Sequence, residues 1–208
     1  LPVSLLVNSE LYAVAPQLIA AYRKYGAEVA AHGRTNSQHQ ADLSEADERA
    51  LIDTVTSTIA VREGRAPAGW LSPWIAETGR TPDLLHEAGY RYVLDWCMDD
   101  QPVWLKTRSG RILSVPYPQE LNDSAAIIGR QVGASEFADM IVDQFDEMLL
   151  QAEEQPLVMG IALHAMIAGQ PFRLRHLRRA FQHIADRRDA CWLTTAGQIA
   201  KAFGDAEG

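Results

Sequence analysis

Short apolar runs alternate along this chain with longer segments whose apolar residues recur at helical spacing. The apolar runs are residues 2–7, 27–31, 69–72, 90–95 and 156–164. The segments with helical spacing are residues 11–25, 44–64, 81–89, 135–155 and 174–187. Strand followed by helix, repeated in this way, predicts a parallel sheet in an α/β domain. Because the strands are short and evenly spaced, we expect a distorted (β/α) barrel of mainly parallel strands, forming one domain over residues 1–208.

Residues typical of helix ends support this division. Ser44, with Asp47 three residues later, is typical of a helix start, and Gly64 is typical of a helix end. Thr81 followed by Pro82 predicts a second helix start. These caps predict helices that begin and end where the apolar spacing changes.

One pair of strands departs from the alternation. Residues 102–107 and 111–118 are strand-like and are joined by Arg108, Ser109 and Gly110. A three-residue loop that ends in glycine predicts an antiparallel hairpin, with the glycine in a left-handed conformation. The last apolar segment, residues 190–195, precedes one more predicted helix.

The chain starts at Leu1 and is strand-like from its second residue. A fold element at the very start of a sequence suggests that the pattern continues upstream. We therefore expect that an N-terminal part of the fold is missing from these 208 residues.

Composition and charge exclude several classes of protein. Nineteen Lys and Arg against 27 Asp and Glu give a net charge of −8, which argues against nucleic acid as a partner. No apolar run approaches the roughly 20 residues of a membrane span, so we expect no membrane partner. Cys97 and Cys191 lie far apart without metal-knuckle spacing, which fits a reducing cytoplasm. The remaining partners are a small-molecule or saccharide substrate and a second copy of the chain.

Polar and aromatic side chains follow the predicted strands at the points where the strands end. In parallel α/β folds the loops at the carboxyl ends of the strands carry the chemistry. The residues at these positions are Asn8, Ser9, His32, Arg34, Asn36, Pro73, Trp74, Asp95, Trp96, Asp99, Asp100 and His164. Strand ends are polar in most proteins because the chain reaches water there, so each residue alone fits a solvated turn equally well.

His32 and His164 are the strongest candidates for chemistry, because each ends an apolar run and a neutral imidazole can act as base, acid or ligand. A structural, hydrogen-bonded histidine is the alternative for each of them. If both lie at the same edge of a parallel sheet, their side chains point into one pocket within about 10 Å. Glu120 and Asp123 form a second acidic loop, which is typical of a capped turn as well as of a binding loop.

These segments, in their order and spacing, resemble the polysaccharide deacetylase superfamily with NodB homology. Within it, the chain is most similar to the branch of metal-independent allantoinases and related peptidoglycan deacetylases. The resemblance covers nearly the whole chain and is carried by the stretches EVAAHGRTNS, PAGWLSPW, TPDLLHEAGYRYVLDW, DDQPVW, VPYPQELND, ALHAMIAGQPFR and WLTTAGQIA.

The resemblance implies a distorted (β/α) barrel that hydrolyses an amide C–N bond, either by deacetylating an N-acetylated amino sugar or by opening a cyclic amide. His32 matches the first histidine of the metal motif, and His164 matches the terminal catalytic histidine. Pro73 with Trp74 matches a groove-wall motif, and Asp95 with Trp96 matches an acid–aromatic motif. The candidate catalytic residues are thus His164, His32, Asp95, Asp99 and Asp100. The candidate substrate-binding residues are Arg34, Asn36, Trp70, Pro73, Trp74, Trp96, Glu120 and Asp123.

The resemblance also implies a divalent metal such as zinc, with His32, Asn36 and His39 as candidate ligands. Metal-binding members carry a second histidine four residues after the first, where this chain has Asn36, a weaker ligand. The aspartate motif of the superfamily precedes the matched region and is absent from these residues. We therefore expect this chain to bind zinc poorly.

Two functions follow from this pattern. In the first, the chain is an amide hydrolase in which His164 protonates the leaving nitrogen, with Asp95, Asp99 or Asp100 orienting it. The general base then lies on the missing strand or is Asp99 or Asp100, and we expect the 208-residue form to be nearly inactive by itself. In the second, the chain is a non-catalytic domain that binds a saccharide or small amide through Trp70, Trp74 and Trp96.

Overall fold

A computed structural model describes residues 1–207 of the protein. Its sheet has six strands in the order β1-β2-β3-β4-β6-β5, and β5 is the one strand antiparallel to its neighbour. The strands are β1 (Ser4–Val7), β2 (Glu28–Ala31), β3 (Gly69–Trp70), β4 (Tyr92–Val93), β5 (Val103–Thr107) and β6 (Gly110–Ser114). The predicted α/β class with mainly parallel strands is confirmed. These six strands do not close into a ring, because β1 and β5 are edge strands.

Eight α-helices accompany the strands in the described part of the chain. They are α1 (Leu11–Val14), α2 (Pro16–Lys24), α3 (Glu45–Glu63), α4 (Thr81–Glu87), α5 (Ala134–Gln151), α6 (Ala165–Ala168), α7 (Pro171–Ala185) and α8 (Ala196–Glu207). A π-helix covers Ser124–Gly129. No helix within residues 1–207 is both long and apolar enough to cross a membrane.

The chain divides into two compact units, each with its own hydrophobic core. The sheet unit contains Pro2–Trp96, Pro102–Val115 and the chain from Thr194 onward. Its core is formed by residues such as Ile52, Trp70 and Ile112. The helical unit consists mainly of Cys97–Gln101 and Pro116–Leu193. Its core is formed by α5 and α7, through residues such as Ile141 and Ala180.

Local signals predicted several boundaries correctly. The Ser44 hydroxyl accepts a hydrogen bond from the Asp47 N–H at 3.2 Å, so α3 begins where the cap predicts. The same helix ends at Gly64, whose φ of 73° is left-handed. The predicted hairpin is also present, but Thr107 pairs with Gly110, so its loop has two residues rather than three. A side chain at Gly110 would lie 2.7 Å from the His86 ring.

Two predicted elements differ from the structure. The single helix predicted over residues 11–25 is two helices, because Pro16 has no N–H to continue the first one. Residues 156–164 form no strand; one bridge, between Asn122 and Ala162, is their only parallel pairing in the described chain. An apolar run of this length has the sequence pattern of a strand, but the pattern does not show whether a neighbouring strand is available to pair with it.

Candidate active site

A short parallel bridge in the helical unit places an aspartate beside a histidine. The Ala162 N–H donates to the Leu121 carbonyl at 2.9 Å, and the Asp123 N–H donates to the Ala162 carbonyl at 3.1 Å. This pairing brings Asp123 next to His164, which lies 41 residues further along the chain. The π-helix begins directly after Asp123, and α6 begins directly after His164.

Asp123 is fully buried, and each of its carboxylate oxygens accepts hydrogen bonds. Oδ1 accepts from His164 Nδ1 at 2.6 Å. Oδ2 accepts from the backbone N–H groups of His164, at 2.8 Å, and Ala168, at 3.1 Å. Three donors compensate the burial of the charge and fix the rotation of the carboxylate. The bond to Nδ1 also sets the tautomer of the imidazole, leaving Nε2 to exchange a proton with a ligand.

The charge of Asp123 alters the acidity of His164. The hydrogen bond to Asp123 raises the pKa of His164, and burial of the ring opposes that rise. The His164 side chain is 37% exposed, so the ring is still accessible. An accessible imidazole that is held by a buried carboxylate, with a raised pKa, is suited to donate a proton near neutral pH.

The role of Asp123 corrects two predictions. Asp123 was expected to bind substrate, but it is buried beneath His164. The residue that orients His164 was expected to be Asp95, Asp99 or Asp100. No local signal could have identified Asp123, because the contact depends on the bridge between residues that are distant in sequence.

Asp95 is buried in the sheet unit, where its carboxylate binds a backbone N–H group. It is 5% exposed, and both of its carboxylate oxygens accept from the Ser72 N–H, at 3.0 and 3.1 Å. Burial raises the pKa of Asp95 to about 7. The carboxylate therefore holds the segment after β3.

Asp99 and Asp100 are exposed in the helical unit, and Asp99 Oδ1 accepts from the Asp100 N–H at 2.7 Å. Asp100 and Glu120 line a cavity of about 230 Å³, and the buried Met148 lines it as well. The pKa of Cys97, which also lines it, is raised by burial and by the charges of these two carboxylates. Two predicted site residues are thus brought together, although His164 is not among the residues that line this cavity.

The carboxyl ends of β1, β2 and β3 form a rim in the sheet unit. His32 Nδ1 lies 2.7 Å from the Leu71 carbonyl, so Nδ1 carries the proton and donates it. Asn36 Oδ1 accepts from Asn8 Nδ2 at 2.9 Å. Arg34 is exposed, and its carbonyl accepts from the Glu10 N–H at 3.2 Å. The rim is therefore ordered by hydrogen bonds between its own loops.

Trp74 is the most exposed aromatic residue of this rim, at 69%. Its Nε1 donates to the Asn36 carbonyl at 2.7 Å, and its ring stacks on His39 with centroids 5.8 Å apart. Trp74 and Ile75 both have positive φ, 63° and 54°, a backbone conformation that residues other than glycine rarely adopt. Pro73 beneath them is buried.

Two tryptophans predicted to bind ligand have different environments. Trp70 is fully buried, its Nε1 donates to Ser72 Oγ at 3.0 Å, and its ring packs edge-on against Tyr90. The prediction that Trp70 contacts a ligand is therefore wrong, because its side chain points into the core from β3. Trp96 is 44% exposed and stays a candidate.

Glu77 is a buried acid that the sequence did not signal. Both carboxyl oxygens of Glu77 are buried, and an interaction with the Trp96 side chain opposes the effect of that burial on the pKa of Glu77. Burial, and after it the charge of Asp95, raises the pKa of Glu77 to about 9. Glu77 therefore holds its proton to higher pH than an exposed glutamate does.

The side chains at the rim do not fit the metal that the resemblance implies. Nowhere in residues 1–207 do three His, Cys, Asp or Glu side chains lie together as a metal site requires. The only metal donor atom of Asn36, Oδ1, is already paired with Asn8, and the His39 ring is stacked on Trp74. His32 and His164 belong to different units, so their shared pocket stays a prediction.

Solved structures similar to this chain include Puue allantoinase, with a TM-score of 0.84 and 27% identity, covering 96% of this chain and 66% of that one. A protein from Pseudomonas aeruginosa described as a probable polysaccharide deacetylase has a TM-score of 0.86 and 26% identity, covering 96% of this chain and 67% of its own. A protein from Mycobacterium smegmatis described as a candidate polysaccharide deacetylase has a TM-score of 0.86 and 20% identity, covering 99% of this chain and 73% of its own.

The chain thus spans about two thirds of the length of the first two of these proteins. No protein-family model matches the sequence, and no curated protein matches it either.

Proposed function

The chain belongs by its fold to the polysaccharide deacetylase superfamily with NodB homology, and we propose that it is the catalytic region of an amide C–N hydrolase. The proposed reaction is removal of an N-acetyl group from an amino sugar or opening of a cyclic amide. The observation that carries this proposal is the buried Asp123 carboxylate bound to the accessible His164 imidazole.

In the proposed reaction, water adds to the carbonyl carbon and the C–N bond of the resulting tetrahedral intermediate breaks. His164 Nε2 transfers its proton to the leaving nitrogen, since an amide nitrogen leaves only when it is protonated. Asp123 accepts a hydrogen bond from Nδ1 throughout, which stabilises the imidazolium before the transfer and preserves the ring orientation after it.

The attacking water must also lose a proton. Within this chain we assign this step to Asp100 or its neighbour Asp99, because both carboxylates are exposed and Asp100 lines a cavity. Asp95 is a poorer candidate, since both of its oxygens are already engaged by the Ser72 N–H.

The experiment compares two histidines that each contact an aspartate in the helical unit. His164→Gln removes the proposed acid, whereas His183→Gln alters the pair in which His183 Nε2 lies 2.7 Å from Asp146 Oδ1. Acetate release from chitotetraose and ring opening of allantoin are measured with the full-length natural protein. We expect His164→Gln to lower the turnover of one probe by about 100-fold, and His183→Gln to leave it nearly unchanged.

Equal rates for His164→Gln and the parent would remove the assignment of His164 as the acid. Absence of turnover on both probes, combined with measurable binding of either one, would replace the hydrolase proposal with the non-catalytic binding domain. The replacement of the second metal-motif histidine by Asn36 is the feature that favours that second function.

A further inference from the structure

The side chain of Asn8 joins the ends of two neighbouring strands. Asn8 directly follows β1, and its Nδ2 donates to Asn36 Oδ1 at 2.9 Å and to the His32 carbonyl. Backbone bonds continue this contact, because the Ser9 N–H donates to the Gly33 carbonyl at 3.0 Å. The loop after β2 is therefore held at both its first and its fifth residue by one amide group.

The same loop holds Trp74 in place. The Asn36 carbonyl accepts from Trp74 Nε1, and His39 stacks against the indole. Trp74 and Ile75 have positive φ, which persists only where the surroundings over-determine it. Because the Trp74 ring is mostly exposed, burial contributes little to its position, and the contacts with Asn36 and His39 must supply the constraint.

Asn36 stands where the metal-binding members of the superfamily have their second histidine. In this chain its acceptor oxygen is directed at an amide donor, and the described residues supply no metal site. We propose that the Asn8–Asn36 amide pair holds the rim of the sheet unit in place of a metal ion, with Asn8 and Asn36 acting as positioning residues for His32 and Trp74. This inference concerns the order of the rim, so its test requires no turnover.

Two substitutions of equal size and equal charge distinguish loss of the Asn8–Asn36 hydrogen bond from the effect of an added negative charge at the rim. Asn8→Asp removes the donor and places a carboxylate against Asn36 Oδ1 and the His32 carbonyl. Asn36→Asp keeps an acceptor at the same place, and a charged acceptor strengthens the bond from Asn8 Nδ2. Both variants add one negative charge to the same rim, so a difference between them reports on the hydrogen bond.

Backbone hydrogen exchange provides the measurement, in the presence of a chelator. The reporter amides are Ser9 and Glu10, which donate to the loop after β2, and Ile75 and Ala76, which close the turn at Trp74. Loss of a hydrogen bond typically worth about 1 kcal/mol corresponds to roughly fivefold faster exchange. We expect this acceleration in Asn8→Asp at all four amides, parent-like exchange in Asn36→Asp, and unchanged exchange in α5 in both.

The parent protein is measured in parallel with zinc and with the chelator. We expect the same exchange rates and the same melting temperature under both conditions. Slower exchange at the rim in zinc would show that a metal holds it, and equal acceleration in the two variants would show that charge alone is responsible. Either result overturns the proposal, and neither depends on whether the chain is a hydrolase.

Discussion

At the scale of single residues, the buried acids differ in how their burial is compensated. Asp123 accepts from three donors, one of them the imidazole of His164. Glu77 has no such set of donors, and burial raises its pKa to about 9. A carboxyl group that is removed from water must either be hydrogen-bonded as an anion or become neutral, and this protein contains an example of each.

Asp123→Asn tests whether the Asp123 carboxylate is a hydrogen-bonded anion that raises the pKa of His164. The amide keeps the shape of the carboxylate but not its charge, so we expect the pKa of His164 to fall when it is followed by NMR titration of the ring. A raised histidine pKa stabilises the fold fully below its unfolded value of about 6.5, and that stabilisation is lost as pH rises through the folded pKa. The substitution should therefore destabilise the protein more near pH 5.5 than near pH 8.5. An unchanged titration of His164 would contradict the assigned hydrogen bond.

Glu77→Gln tests whether the Glu77 carboxyl group is protonated in the folded protein. A carboxyl whose pKa is raised to about 9 in the fold remains protonated between about pH 4.5 and 9, whereas the unfolded chain ionises there. The parent protein consequently loses stability as pH rises through this window, and the glutamine variant does not lose that contribution. We expect the melting temperature of the variant, relative to the parent, to increase between about pH 5 and pH 8. A difference that is independent of pH would show that Glu77 is ionised in the fold.

At the scale of elements, one glutamate joins a helix and three strands. Glu28, the first residue of β2, accepts from the Gly197 N–H at 3.0 Å and from Ser4 Oγ at 2.8 Å, and the Tyr92 hydroxyl donates to it at 2.8 Å. Gly197 lies in the first turn of α8, where a carboxylate satisfies free N–H groups and interacts favourably with the helix dipole. Glu28 thus attaches α8 to the strands of the sheet unit.

Glu28→Ala should detach the start of α8. Since three donors lose their acceptor, we expect the free energy of unfolding to fall by about 1–3 kcal/mol and hydrogen exchange across α8 to accelerate. Gln198→Ala is the matched control, because the bonds that Gln198 accepts come from Thr194 and Thr195 at the exposed start of the same helix. Equal effects of the two substitutions would mean that local capping, rather than Glu28, holds the helix.

Features encoded by neighbouring residues could be predicted from the sequence, and features that depend on distant residues could not. Ser44 and Gly64 mark the ends of α3 because a cap requires only residues within one turn. Residues 156–164 have the composition of a strand, but pairing requires a partner strand, and here the partner is one bridge at Asn122. The role of Asp123 was missed for the same reason, whereas the break at Pro16 was visible in the sequence.

At the scale of the whole molecule, the two units have separate cores. Ile52, 1% exposed, belongs to the core of the sheet unit, and Ile141, fully buried, belongs to that of the helical unit. A chain with two cores does not have to unfold in one step. Because each unit has its own core, the free energy of unfolding should be measured for each unit separately.

Ile52→Ala and Ile141→Ala form a matched pair for this measurement. Each deletes the same buried atoms and is expected to cost about 2–5 kcal/mol. We expect Ile141→Ala to accelerate exchange of the most protected amides in α5 and α7 only. We expect Ile52→Ala to accelerate exchange of those in α3 and the strands only. If each substitution accelerates exchange in both units equally, the chain unfolds as one cooperative structure.

The attachment of α8 to Glu28 also has a consequence for how the protein is synthesised. The sheet unit begins near residue 2 and receives α8 only after all of the helical unit has been translated. A nascent chain that has left the ribosome up to residue 193 therefore carries six strands, and its Glu28 carboxylate lacks the Gly197 N–H donor. Translation that stops there leaves the sheet unit without α8, so we expect such truncated products to be less stable than the full chain and easier to proteolyse.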